Sequence, residues 1–197
     1  MLAAVILSGG ASSRMGSPKA LLAYQGRPFL EHLLEVTVHP KIGVRRVVLG
    51  AHAEPITKSI ALAADEIVIN ADWESGQLSS IQSAIRSLPE GTDGLLLCLI
   101  DHPLISKSLV NELIEVFYAS SCVKIVLPVY EGRRGHPVIF PAALYQELLQ
   151  APVDRGARAV VWAHAPADVL ELPTNEEGCV LNLNDPETMH RATGRSD

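Results

Sequence analysis

The sequence predicts an α/β fold in three layers: a mixed, mostly parallel sheet with helices on both sides. Three observations predict it. Apolar runs alternate with helix-periodic segments from residue 2 to residue 118. The stretch "GLLLCLI" at 94–100 is apolar at every position, as a strand covered on both faces is. A glycine- and serine-rich stretch, "LSGGASSRMGSPKALL" at 7–22, leaves the first apolar run directly, where a parallel sheet carries its ligand-binding loops.

The elements follow in order. Residues 2–7 read as a buried strand and 29–38 as a helix with apolar positions at helical spacing. A strand at 44–49, a short helix at 56–64 and a strand at 66–69 come next. A helix at 78–88 leads to the strand at 94–100, and a helix at 106–118 starts on Ser106, a good N-cap. Strand, helix, strand in repetition implies parallel pairing. The pattern then changes. Residues 124–130 are a strand, Glu131-Gly132 a turn and 137–140 a short return strand. Helices at 141–149 and 155–164, strands at 169–172 and 179–183, and a helix at 185–192 close the chain. There is no internal repeat, linker or low-complexity tract, so one domain over residues 1–197 is the expectation.

Composition narrows the function classes. With 48% hydrophobic and 19% charged residues the chain buries a core and is not a disordered segment. A net charge of -6 argues against a broad nucleic-acid or acidic-membrane surface, so an anionic ligand must be held by a few local cations. Cys98, Cys122 and Cys179 show no metal-ligand spacing; buried thiols in a reducing, cytoplasmic setting are expected. The first apolar stretch is too short for a signal peptide and has no basic residues before it, and no run is long enough to cross a membrane.

Five stretches carry chemistry. In the glycine loop, Gly9 and Gly10 allow close backbone approach and N–H donation to phosphate. Arg14 adds a planar bidentate donor and Lys19 a compact charge. The spacing is neither that of a P-loop nor that of a dinucleotide fingerprint. In "LLLCLIDHP", Asp101 emerges at the C-terminal edge of an apolar strand, beside the glycine loop, and offers the oxygen ligands a hard cation needs. In "NADWESGQLSS", Ser79 and Ser80 sit near a helix start, where hydroxyls and N–H groups meet an anion or a base edge. In "EGRRGHPVIF", Arg133, Arg134 and His136 make a donor-rich turn. In "VLNLNDPETM", Asn182 and Asn184 share a face, and Asn182 either completes a metal shell opposite Asp101 or holds a loop.

The ordered set from Leu7 to Lys19, then Asp101-His102-Pro103, then Asn182 to Glu187 resembles the MobA-like nucleotidyltransferases over nearly the whole chain. The resemblance implies a Rossmann-like fold of the glycosyltransferase-A type. "NADWESGQLSSI", "RRGHPVIF" and "DRGARAVV" are similar to the molybdenum cofactor cytidylyltransferase branch, which transfers CMP from CTP to the phosphate of molybdopterin and releases pyrophosphate. That branch usually reads Leu-Ala-Ala-Gly where this chain has Leu7-Ser8-Gly9-Gly10; a glycine at position 9 is what the guanylyl branch carries. The resemblance implies that Arg14 and Lys19 hold the triphosphate and stabilise the leaving pyrophosphate. It implies that Asp101, with Asn182, holds Mg2+ or Mn2+. Leu7, Ser8, Gly9 and Gly10 then read the nucleotide through their backbone, with Asn70, Ser79 and Ser80. Arg133, Arg134 and His136 bind the pterin or its phosphate. A transient contact with a molybdenum hydroxylase or its chaperone follows. Three alternatives stay open: GTP as donor, another phosphorylated acceptor such as a sugar phosphate, and a cofactor carrier without chemistry.

Overall fold

The computed structural model describes residues 1–12, 16–185 and 187–189. β1 (Leu2–Ser8), seven residues and all buried, is an interior strand of the sheet. After the glycine loop, β2 (Ala23–Tyr24) and β3 (Arg27–Pro28) form a small antiparallel ribbon that leads into α1 (Phe29–Val36). β4 (Ile42–Leu49), α2 (Ala53–Ser59), β5 (Ile67–Ile69), α3 (Gln77–Ser87), β6 (Gly94–Leu99) and α4 (Lys107–Ala119) complete the parallel half. β7 (Ile125–Tyr130), β8 (Arg133–Arg134), β9 (Val138–Pro141), α5 (Tyr145–Gln150), α6 (Arg158–His164) and β10 (Val169–Pro173) follow.

The strand order is β10-β7-β9-β6-β1-β4-β5, with β8 added beside β7. β1 is parallel to β4 and β6; β9 alone in that row runs antiparallel, to β6 and β7. The reversal has a local cause. Glu131 and Gly132 both have positive φ, 49° and 76°, as a two-residue hairpin turn requires. The turn sends the chain back through β8, and Pro137 then opens β9.

Period-2 alternation splits the core into two halves. Leu2 and Ile6 of β1, with Leu96 and Cys98 of β6, face Leu33 of α1 and Leu113 and Phe117 of α4. Val5 and Leu7 of β1, with Leu95 and Leu97 of β6, face Ile81 of α3, Leu148 of α5 and Val160 of α6. Each such side chain contributes about 1.5–3 kcal/mol of burial. The predicted fold class is therefore the observed one: a mostly parallel mixed sheet between two helical layers. Burial pushes the Cys98 thiol up to about 12, so it is inert packing. No helix among the described residues is long and apolar enough to cross a membrane.

Three predicted elements differ. The helix expected at 56–64 lies at Ala53–Ser59. The one expected at 155–164 begins at Arg158, because 153–157 are a turn. Residues 179–183 are not a strand. A 3-10 turn, Glu177–Cys179, precedes them, and their backbone bonds go to loops: the Cys179 carbonyl accepts from the His136 N–H, and the Leu183 N–H donates to the Asp101 carbonyl, both at 2.8 Å. Periodicity cannot distinguish that from a ladder. Of the helix expected at 185–192, residues 187–189 are helical; Pro186 and 190–192 lie outside the described residues.

Candidate active site

Because β1, β4 and β6 run parallel, the loops after Ser8, Leu49 and Leu99 leave one edge of the sheet together. The glycine loop is braced there. The Gly9 carbonyl accepts from the Ala51 N–H at 3.2 Å, and His52 Nε2–H donates to the Ala11 carbonyl at 2.7 Å. Gly50 must be glycine: a Cβ there would stand 2.4 Å from the Gly9 carbonyl oxygen and 2.7 Å from Trp73 Cβ. Farther along the loop, the Ser12 hydroxyl accepts from the Lys19 N–H at 3.1 Å. Ser13, Arg14 and Met15 lie outside the described residues, so the expectation for Arg14 rests on sequence alone.

A cavity of about 240 Å³ opens between these loops and the start of α3, lined by Leu7, Ser8, Gly9, Gly10, Lys19, Trp73, Gln77, Ser80 and Asp101 among others. Six positions read from the sequence as contacting the nucleotide or its phosphates (Leu7, Ser8, Gly9, Gly10, Lys19 and Ser80) thus share one cavity with Asp101. Asn70 and Ser79, also read as meeting the nucleotide, are not among the residues that line it. Asn70 is buried, and its amide is used up: Nδ2 donates to Ser79 Oγ at 2.8 Å and Ser80 Oγ at 3.0 Å, while Oδ1 accepts from the Asp72 N–H at 3.0 Å. The Ser79 hydroxyl donates to the Asp72 and Gly76 carbonyls. Both residues hold Ser80 and the turn at Trp73 in place from behind.

Lys19 Nζ stands 3.7 Å from an Asp101 carboxylate oxygen and donates to Asn184 Oδ1. The pairing is only partial, so both groups keep capacity for a ligand. Asn182 is exposed and lines the next cavity, about 450 Å³, together with Asp101, Gln77, Arg133, Arg134 and His136. Asn182, read from sequence as either a metal-shell or a loop residue, thus lines one cavity with Asp101, whereas Asn184 was not singled out as the partner of Lys19. A hard cation fits this donor set: one carboxylate and amide oxygens, all hard ligands. The described residues contain no cluster of three or more His, Cys, Asp or Glu able to hold a metal alone, so a cation held here would need further ligands.

The three donor-rich turn residues come to the same groove, with different weights. Arg133 is exposed. Arg134 is paired with Glu171 at 2.7 Å, so its charge is partly compensated. His136 packs against His102, ring centroids 5.1 Å apart. Burial, and secondly the neighbouring His102, push the His136 pKa down to about 3. It is therefore a neutral imidazole and not a third cation. Burial lowers His102 as well. The Nδ1 atoms of both are buried without a hydrogen-bond partner.

The model of the MobA-like NTP transferase domain matches residues 4–168, most of the chain. The chain belongs to that family. It is 30% identical to the molybdenum cofactor guanylyltransferase of Rhizobium meliloti (strain 1021), over 96% of this chain and 89% of that one. It is equally 30% identical, over 95% of this chain and 94% of the other, to a protein of Paenarthrobacter nicotinovorans named nicotine blue oxidoreductase. Among solved structures, Rv0371c of Mycobacterium tuberculosis H37Rv superposes with a TM-score of 0.81 at 27% identity, each chain covered to 98%. The shared fold is thus that of MobA-like nucleotidyltransferases. Within it, the position of Asp101 after β6 and of Lys19 after the glycine loop was legible in this chain. Gln77, which lines both cavities described above, was not singled out, because a glutamine at a helix start gives no signal in sequence.

Proposed function

We propose that the chain, as one domain over residues 1–197, transfers a nucleoside monophosphate from an NTP to the terminal phosphate of molybdopterin. CTP is the donor in this reading. One observation carries it: the glycine loop, Lys19 and Asp101 converge on one cavity at the C-terminal edge of the sheet. In the transfer, an acceptor phosphate oxygen attacks the α-phosphorus, the bond to the bridging oxygen breaks, and pyrophosphate leaves with the electron pair. The attacking phosphate is already ionised at neutral pH, so no general base is required. That agrees with His102 and His136 being held neutral beside the cleft. Positioning and charge neutralisation are what such a transfer needs. Lys19, anchored by Asn184, meets the developing charge of the leaving pyrophosphate, and Arg14 is assigned the same task from sequence. Backbone groups of Ser8, Gly9 and Gly10 hold the nucleoside end. Asp101, with Asn182 at its side, would hold Mg2+ or Mn2+, which when bound neutralises phosphate charge.

CTP is supported by the similarity of "NADWESGQLSSI", "RRGHPVIF" and "DRGARAVV" to the cytidylyl branch. GTP is the second reading, favoured by the Gly9-Gly10 pair and by the guanylyltransferase name of the Rhizobium relative. Pyrophosphate release with molybdopterin and each of the four NTPs tests both. A kcat/KM for CTP above that for GTP by about tenfold, the range one pocket contact supplies, supports the first; a preference for GTP supports the second. Release with none of the four, together with a redox turnover like that named for the Paenarthrobacter relative, overturns the transfer reading.

A further inference from the structure

Beyond the Asp101 cleft the groove continues. Gln77, Arg134, Gly135 and His136 line both that cleft and another cavity, about 440 Å³ in volume, between the sheet and α6. Its floor is apolar and belongs to the buried core: Leu97, Leu127 and Phe140 are each at most 2% exposed. Its far wall is Trp162, an indole 57% exposed. The Arg158 guanidinium lies over that indole, 5.4 Å from the ring centroid, and Arg155 stands on the same rim. The end toward Asp101 is closed by His136, which lines both cavities. A volume of this size, an apolar floor and a few convergent polar groups describe a small-molecule site.

The lining also says which chemistry fits. Hydroxyls of a sugar laid on Leu97, Leu127 and Phe140 would find no hydrogen bond from that floor, whose polar neighbours stand only around it. A flat aromatic ring loses little there and gains stacking from Trp162 and Arg158. We propose that this cavity seats the ring of the acceptor, a planar fused nitrogen heterocycle whose phosphate reaches the Asp101 cleft, and that Trp162 and Arg158 select that ring. Only the phosphate end of the proposal rests on the transfer reading above.

The chain's two tryptophans allow a direct test, since Trp73 lines the nucleotide cavity and Trp162 the ring cavity. In Trp73→Phe, neopterin monophosphate is expected to quench Trp162 saturably, and glucose 1-phosphate is not. In Trp162→Phe, neopterin monophosphate is expected to leave Trp73 unchanged. Trp162→Ala and Arg158→Ala are expected to raise the KM for molybdopterin by about tenfold while nucleotide affinity, measured by calorimetry, changes less than about twofold, as loss of one stacking contact predicts. Quenching of Trp162 by the pterin without transfer to any acceptor would sink the transfer reading and leave the ring cavity standing. Transfer to molybdopterin with unchanged KM in both variants and a silent Trp162 would overturn the cavity proposal and leave the transfer reading standing.

Discussion

A methyl group added at Gly9 would come within 3.0 Å of the Ser80 hydroxyl and 3.8 Å of Trp73 Cβ. Ser80 has little freedom to retreat, because Asn70 Nδ2 holds its oxygen. Gly9→Ala should therefore weaken nucleotide binding by about three- to tenfold, and removing the hydroxyl as well, in Gly9→Ala/Ser80→Ala, should recover part of the loss. Calorimetric titration of the four proteins of that cycle measures it. Strict additivity would mean that Gly9 acts through loop shape and not through Ser80. Lys19 and Lys41 make the second contrast at this scale. Lys19 faces the cavity, whereas Lys41, just before β4, is at the opposite edge of the sheet, paired with Glu115 at 2.8 Å. Lys19→Ala should lower kcat/KM by about a hundredfold, the order seen when one charge-stabilising donor is lost, and Lys41→Ala should leave it unchanged. Equal losses would reduce the cradle to net charge. That Gly9 and Lys19 share a cavity was legible in the sequence, because bare backbone and cations fall in one short span after the first strand. Gly50 and Asn184 were not: their roles are contacts with Gly9 and Lys19 that only the folded chain creates.

At the scale of elements, the loop after β6 and the start of β9 bring two imidazoles together in the interior. His136 is neutral in the folded protein down to about pH 3, while an unfolded histidine takes a proton near 6.5. The folded pKa is below the unfolded one, so the unfolded state binds more protons between those values. The stability this group contributes is present above about pH 6.5 and is lost as pH falls toward 3, by at most about 1.4 kcal/mol per pH unit. His102, lowered by burial too, adds in the same direction, against the opposing pull of Asp101. Thermal midpoints between pH 7 and 4 should fall steeply in the wild type and less steeply in His136→Gln. Parallel curves would show that His136 does not stay neutral when the protein is folded. Periodicity and turn chemistry revealed the strand–helix alternation and the Glu131-Gly132 hairpin, because both are local. They mislabelled 179–183, whose backbone begins in a 3-10 turn and bonds to the loops at Asp101 and His136 and not to a strand. Asn182 lies in this segment and Asn184 just after it, and the contact of Asn184 with Lys19 had no signal in the sequence.

For the whole molecule, the fold class follows from two facts in the sequence: wholly apolar strands at 2–7 and 94–100, and helices between them. A strand apolar at every position needs cover on both faces, and two separate core layers supply it. The antiparallel β9 was visible as a return strand, but its place between β6 and β7 was not, since pairing order has no local signature. That insertion brings β8 and the His136 turn alongside the Asp101 cleft and so joins a ligand edge to a second cavity. The central claim is that this edge moves a nucleotidyl group. Its most direct measurement follows the label from NTP carrying radioactive α-phosphorus, with molybdopterin and Mg2+, in wild type and Asp101→Asn. The account predicts label in the acceptor product, equimolar unlabelled pyrophosphate, and a rate about 10²–10³-fold lower in the folded Asp101→Asn protein. Label that stays with the nucleotide, or an Asp101→Asn rate equal to wild type, would contradict it.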